Sequence, residues 1–329
     1  MTAPHTAQFG PPAGYTDPDE LPVAEWPEIE LWSENYFFCS WDPRAELGIW
    51  LHLGRMPHDP TLWREMIFFY LPDGTILNGK SYGRHQSERG PGSGTLAFEC
   101  VDPWNRWRQS FDGILVRSDF ERLDRGLLEL GLYVPAALDL EWRPVAPIFE
   151  MGTEMQKQAW GHTHYNQLGR LVGSVRYEDR EVDFDGVGVR DHTRGPRDFR
   201  KFVWHCWHHG VFEDGRGFMV VDAMAEGDNR LERAMVLSDS EITEVGIIES
   251  GALRSREDGC RDYEIRFEGQ EPIKAHLLHN NPMGFAADNE ITYGHDPEVS
   301  THHLFEGFTR FEWDGVVGHG LTERSLRHG

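Results

Sequence analysis

Arg190, Asp191, His192, Arg194, Arg197 and Asp198 crowd one segment, residues 184–200, in which glycines stand at 186, 188 and 195 and a proline at 196. An imidazole beside a carboxylate offers a group that titrates near neutral pH and another to orient it, the ingredients of general acid–base catalysis. The arginines, with Arg200 and Lys201, form a basic island suited to an anionic oxygen or, equally, to pairing with Asp191 and Asp198. The glycines and Pro196 predict a rigid turn that holds these side chains in a fixed array. Two readings compete: a proton-transfer site centred on His192 and Asp191, with Arg190 or Arg194 holding an oxygen anion, or a self-satisfied network that staples the segment. Adjacent strand residues point to opposite faces, so Asp191 is free to serve an arginine rather than His192.

Other residues extend the candidate site. His164 and Tyr165 are read as groups that orient a substrate, Glu306, His319 and Glu323 as pocket acids or bases, and Trp204 as a substrate contact. His162 and His164 lie two apart, as do His205, Trp207 and His209, and such pairs ligate a metal when a third ligand comes from elsewhere. With 17 histidines in the chain such pairs arise by chance, so no metal is expected. No phosphate-cradling G-x-x-x-x-G-K-[ST] loop, G-x-S-x-G elbow or H-E-x-x-H helix is present, which disfavours nucleotide-dependent chemistry and serine hydrolysis.

The elements that must position these groups read as β. Apolar runs such as Met66–Leu71 and Lys201–Phe212 stop at Asp73-Gly74 and Asp214-Gly215, the rhythm of antiparallel hairpins. The best helical candidate is Phe120–Leu132, weakened by Gly126 and Gly131. Phe111-Asp112-Gly113 recurs as Phe184-Asp185-Gly186, with Trp313-Asp314-Gly315 near the end, which fits either a duplication or ordinary turns. Residues 1–28, rich in Pro, Ala, Gly and acids, predict a loosely ordered arm, and Arg143–Pro147 predicts a linker. The expected division is therefore 1–28, 29–150 and 151–329.

A formal charge of −23 over 329 residues argues against nucleic acid and anionic membrane surfaces as partners. No apolar run approaches the ~20 residues that span a bilayer, and the first residues lack the features of a signal peptide, so a cytoplasmic protein is expected. The four cysteines are scattered and predict buried free thiols. The 12 tryptophans and 19 phenylalanines suffice to fill two cores and line an apolar cavity.

His164-Tyr165-Asn166-Gln167, Gly173, residues 185–198 and Gly318–Glu323, together with Glu34–Phe37 and Trp107–Gly113, resemble a group of two-domain lipocalin-like proteins. That group includes the AttH-like proteins and is distantly similar to carotenoid 1,2-hydratases and some pericyclase-type enzymes. The resemblance implies an all-β protein of two lipocalin-like antiparallel β-barrel or sandwich domains packed together, with a pocket in or between them. It implies chemistry on apolar or aromatic molecules without a bound cofactor. Members of the group usually read Arg-Asp-His-Ser-Trp-Gly where this chain has Thr193 and Arg194, and often carry Glu where it has Asn166. A mechanism that uses that glutamate does not carry over.

The expected function is a cofactor-independent lyase or isomerase of hydratase or dehydratase type. It would act by general acid–base chemistry on a hydrophobic small molecule such as a terpenoid, steroid or aromatic catabolite. A non-catalytic carrier of the same ligands, and a decarboxylase that grips its substrate with the arginine island, are the rivals. A homodimer is compatible with all three.

Overall fold

A computed structural model describes residues 8–84, 87–127, 132–227 and 229–329, and its strands form two antiparallel sheets. The first sheet holds β1 (Trp32–Asp42), β2 (Leu47–Met56), β3 (Asp59–Tyr70), β4 (Ile76–Gly83), β5 (Leu96–Asp102), β6 (Arg106–Ser118), β7 (Tyr133–Pro144), β8 (Phe149–Glu150), β9 (Thr163–Tyr177) and β10 (Arg180–Pro196). The second holds β11 (Phe202–Phe212), β12 (Gly217–Ala225), β13 (Asn229–Ser238), β14 (Glu241–Glu244), β15 (Ile247–Glu249), β16 (Tyr263–Phe267), β17 (Ile273–Leu277), β18 (Asn281–Phe285), β19 (Ile291–Tyr293), β20 (His302–Trp313) and β21 (Val316–Arg327). Of the helix expected over Phe120–Leu132 only α1 (Phe120–Asp124) forms, its first turn capped by the Asp119 carboxylate, which accepts from the Arg122 N–H; residues 128–131 lie outside the described residues. Residues 1–7 of the arm lie outside them as well.

β10 pairs with both β1 and β9, so the first sheet closes on itself in the order β10-β1-β2-β3-β4-β6-β7-β9. The second runs β14-β13-β12-β11-β21-β20-β17-β16-β15, and its two edges are joined because residues 241–249 pass from β13 to β16 as one stretch. Closure leaves few open edges, the usual solution for a lipocalin-like barrel. The all-β, two-unit architecture is therefore as expected. By sheet membership we place the division at residues 197–201. The proline-marked stretch Arg143–Pro147 instead joins β7 to β8 inside the first sheet, and β9 and β10 are needed to close that barrel.

The supposed turn at 184–200 is mostly the long strand β10. Its glycines serve close approach: a Cβ at Gly188 would collide with the Cys39 carbonyl of β1. Gly195, at φ +136°, ends the run in a conformation open to glycine.

Three apolar clusters hold the molecule together. One fills the first barrel with Tyr36, Phe38, Leu51, Trp107 and Trp142, and one packs Phe218, Val220, Phe267 and Phe311 within the second unit. The third lies between the sheets and includes Phe37, Trp50, Phe68, Trp207, Val221 and Phe308. Every residue of β1 and β2 is consequently buried; in β1 the even apolar residues face the barrel interior and the odd ones the second sheet, and in β2 the order is reversed. Each Phe or Leu buried this way contributes about 1.5–3 kcal/mol. The intermediate cluster is interrupted by a cavity. No helix among the described residues is long and apolar enough to cross a membrane.

Candidate active site

Strand alternation divides the 190–194 motif between two places. On β10, Arg190 and His192 turn into the first barrel with the half-buried Arg194, while Asp191 faces the cavity between the sheets. β9 repeats the division: Tyr165 points into the barrel and His164 into the cavity. The register places Tyr165 opposite His192, which is why those two meet.

Inside the barrel two glutamates organise a closed network. Glu20, delivered by the arm and wholly buried, accepts from Trp107 Nε1 at 2.6 Å and pairs with Arg190 Nη1. The Tyr165 hydroxyl lies 2.8 Å from Glu20 Oε2 and 2.7 Å from His192 Nδ1. His192 Nε2 is 3.1 Å from Glu34 Oε1, and its ring stacks on Tyr36 at 3.9 Å. Glu34 also accepts from Arg194 Nε at 2.8 Å and Arg55 Nε at 3.1 Å. Burial drives His192 down to about 4, reinforced by Arg194 and opposed by Glu34. Burial pushes Glu34 up, but the His192 hydrogen bond and the charges of Arg194, His192 and Arg55 outweigh it and hold the carboxyl at about 2. Arg194 is thus answered by Glu34.

The cavity is different in kind. It measures about 90 Å³, room for several waters, and its walls are aromatic: Phe37, Trp50, Trp160, Phe199, Phe202, Trp207 and Phe285. Into it project Asp191, Glu306 and Glu323, with His52, His164, His205 and Arg197. Glu306 and Glu323 sit directly opposite each other on β20 and β21 and their carboxyls hydrogen-bond. Trp50 Nε1 donates to Glu306 at 2.5 Å, and His205 Nε2 lies 2.5 Å from Glu323 while its Nδ1 is paired with Ser325 Oγ. Burial, then the charge of Glu323, pushes Glu306 well above the ordinary carboxylate range. Burial likewise raises Asp191 to about 8, Glu323 adding to the effect and Arg197 and Arg190 opposing it. His164 is held by Thr193 Oγ1 at 2.5 Å and by Asn166 Nδ2 at 3.1 Å, 3.9 Å from Asp191; burial, with Arg197 and His192, lowers it to about 3. Acids raised above their usual range, beside the paired Glu323 and His205 and among aromatic walls, can give and take protons.

Asp191, His164 and Glu306 therefore meet at the cavity, whereas His192, Tyr165, Arg190 and Arg194 form the barrel network. Trp204 lines a separate groove with Arg230 and Tyr263, and His319, half-buried on β21, belongs to neither cluster. Glu323 and Arg197 were visible in the sequence as a candidate acid and as part of the basic island. Trp50 and His52 were not, and their only signal is a polar ring two residues from a tryptophan within the mostly apolar strand β2. Among the described residues no group of three or more His, Cys, Asp or Glu side chains is arranged to hold a metal ion.

A family model described as a domain of unknown function, DUF7064, matches residues 16–326. No curated protein matches the chain by sequence. Among solved structures the fold is similar to an AttH-type protein of Nitrosomonas europaea, with a TM-score of 0.59 at 12% identity over 90% of this chain and 93% of that one. It is also similar to CghA, with 0.52 at 11% over 91% and 89%, and to kievitone hydratase of Nectria haematococca, with 0.51 at 9% over 90% and 88%. The all-β architecture of two lipocalin-like sheets expected from the motifs is the one observed, and the AttH-type structure shares it.

Proposed function

The chain belongs to the DUF7064 family, and from its inter-sheet cavity we propose that it is a cofactor-independent lyase or isomerase of hydratase or dehydratase type, acting by general acid–base chemistry on a hydrophobic small molecule. The observation that carries the reading is the Glu306–Glu323 pair. Two carboxyls this close share a proton, because like charges in a buried site cannot both ionise. Glu306 is then the acid that protonates a substrate carbon, and Glu323, backed by His205, is the base that takes a proton from water; dehydration runs the same steps backwards. Asp191, kept protonated well above the usual range, is a second donor, with His164 beside it at 3.9 Å. The aromatic walls exclude bulk water and favour a flat, apolar substrate. A kievitone hydratase among the proteins of this fold supports the reaction type. A decarboxylase that grips its substrate with Arg190 and Arg194 is less favoured, since Glu20 and Glu34 hold both.

The test is incubation with a panel of hydrophobic alkenes and tertiary alcohols in heavy-oxygen water, read by mass spectrometry. The expected result is a product that has gained or lost one water, with label in the gained oxygen. A ligand that binds one to one and is always recovered unchanged would make the protein a carrier.

A further inference from the structure

Three residues of the cavity wall carry buried donors with no acceptor among the described residues: Trp160 Nε1, Trp207 Nε1 and Arg197 Nε. Indole and guanidinium N–H groups only donate, so no ring flip or change of protonation satisfies them. Buried polar groups are nearly always paired, and an oxygen of a molecule bound in the cavity can pair these three. Arg197 Nη1 donates to the Trp160 carbonyl at 2.9 Å and its guanidinium lies 4.4 Å from the Phe199 ring, which fixes it beside Trp160. Arg197 is also the one Arg or Lys on a wall that carries Asp191, Glu306 and Glu323. A substrate carboxylate would add a full negative charge to that group. A neutral oxygen that becomes negative only during reaction meets the donors without that cost.

Resting on the hydration chemistry above, we infer that the substrate is a planar conjugated ketone, or the β-hydroxy ketone formed from it, whose carbonyl oxygen is received by Arg197, Trp160 and Trp207. Water adds its oxygen to the β-carbon as Glu323 takes one of its protons, and the alkene electron pair moves to give an enolate. The three donors hold the enolate oxygen. Glu306 then protonates the α-carbon and the carbonyl re-forms, while the proton gained by Glu323 replaces the one given up by Glu306. One water is consumed and no redox partner is needed.

The probe is benzylideneacetone, compared with a phenyl diene of the same shape in which a methylene replaces the carbonyl oxygen. Binding is followed by tryptophan fluorescence and by the absorption maximum of the enone. The enone is expected to bind about tenfold or more tighter than the diene, the worth of two or three hydrogen bonds, with a red-shifted maximum. Trp160→Phe and Trp207→Phe keep the wall and remove the N–H, and each should shrink the ratio to within about threefold and reduce the shift; Arg197→Gln should do so more strongly. Equal binding of the two probes, an unshifted maximum, or an unchanged ratio in both tryptophan variants would overturn the inference. Its failure is separable from that of the hydratase reading: a shifted, discriminated enone that never gains water leaves the oxygen site standing. Hydration of simple alkenes without discrimination leaves the reaction standing and removes the site.

Discussion

The barrel network and the inter-sheet cavity lie back to back across β9 and β10, built from alternate residues of the same two strands. In the barrel each oxygen of the Glu20 and Glu34 carboxylates has a partner, and the network is sealed by the arm. In the cavity, raised carboxyls face unpaired donors across aromatic walls. A dense cluster of ionisable residues is thus compatible with two ends, fold stabilisation where every carboxylate oxygen is answered and chemistry where raised acids line a cavity.

That contrast breaks if a lesion in the cavity costs stability or one in the barrel costs turnover. The largest expected effect is on rate: Glu306→Gln should lower turnover by about 10²–10⁴-fold with a near-normal melting temperature, whereas His192→Phe should leave turnover within a few fold. Steady-state kinetics beside thermal melts make the comparison. Next in size, Glu20→Gln leaves the Arg190 charge without its partner in the barrel and should cost about 3–5 kcal/mol of stability, read by denaturant unfolding.

Asp191 in the cavity and His192 in the barrel should also impose opposite pH slopes on stability. Asp191 is raised from 3.8 to about 8, so between those values the folded protein keeps a proton the unfolded chain has lost. Its contribution is full at acid pH and is lost as pH rises toward 8. His192 is lowered from 6.5 to about 4, so the unfolded chain protonates first and the contribution grows as pH rises through that window. Unfolding titrations of Asp191→Asn should lack the first slope and those of His192→Phe the second. The same slope in both variants as in the parent protein would dissolve the distinction. The smallest effect is expected at His319, outside both clusters, where His319→Gln should change stability by no more than about 0.5 kcal/mol and turnover hardly at all.

Much of the fold was legible from residues alone. Asp314-Gly315, with φ +51° and +76°, is the tight β20–β21 turn that an Asp-Gly signal predicts. The other Phe-Asp-Gly echoes lie inside β6 and β10, where the Phe111 and Phe184 rings cover the glycine two residues on, so a Cβ there would overlap the ring. Such pairs look like turns in sequence and are packing devices in the sheet. The division of the chain was harder to read because closure joins β1 to β10 across most of the first unit, and no local signal reports a pairing that distant. The site was half legible for a related reason. Alternation shows that Asp191 and His192 part company, but which face meets a cavity is decided by the second sheet packing on β1 and β2.

The central claim is that a neutral carboxyl of Glu306 waits in the cavity at physiological pH, and infrared difference spectroscopy tests it without any substrate. Wild type minus Glu306→Gln, recorded near neutral pH, should show a protonated-carboxyl C=O band that is absent from the variant and shifts in heavy water. A carboxylate band lost in its place would mean that Glu306 is ionised, and the acid–base assignment would be contradicted.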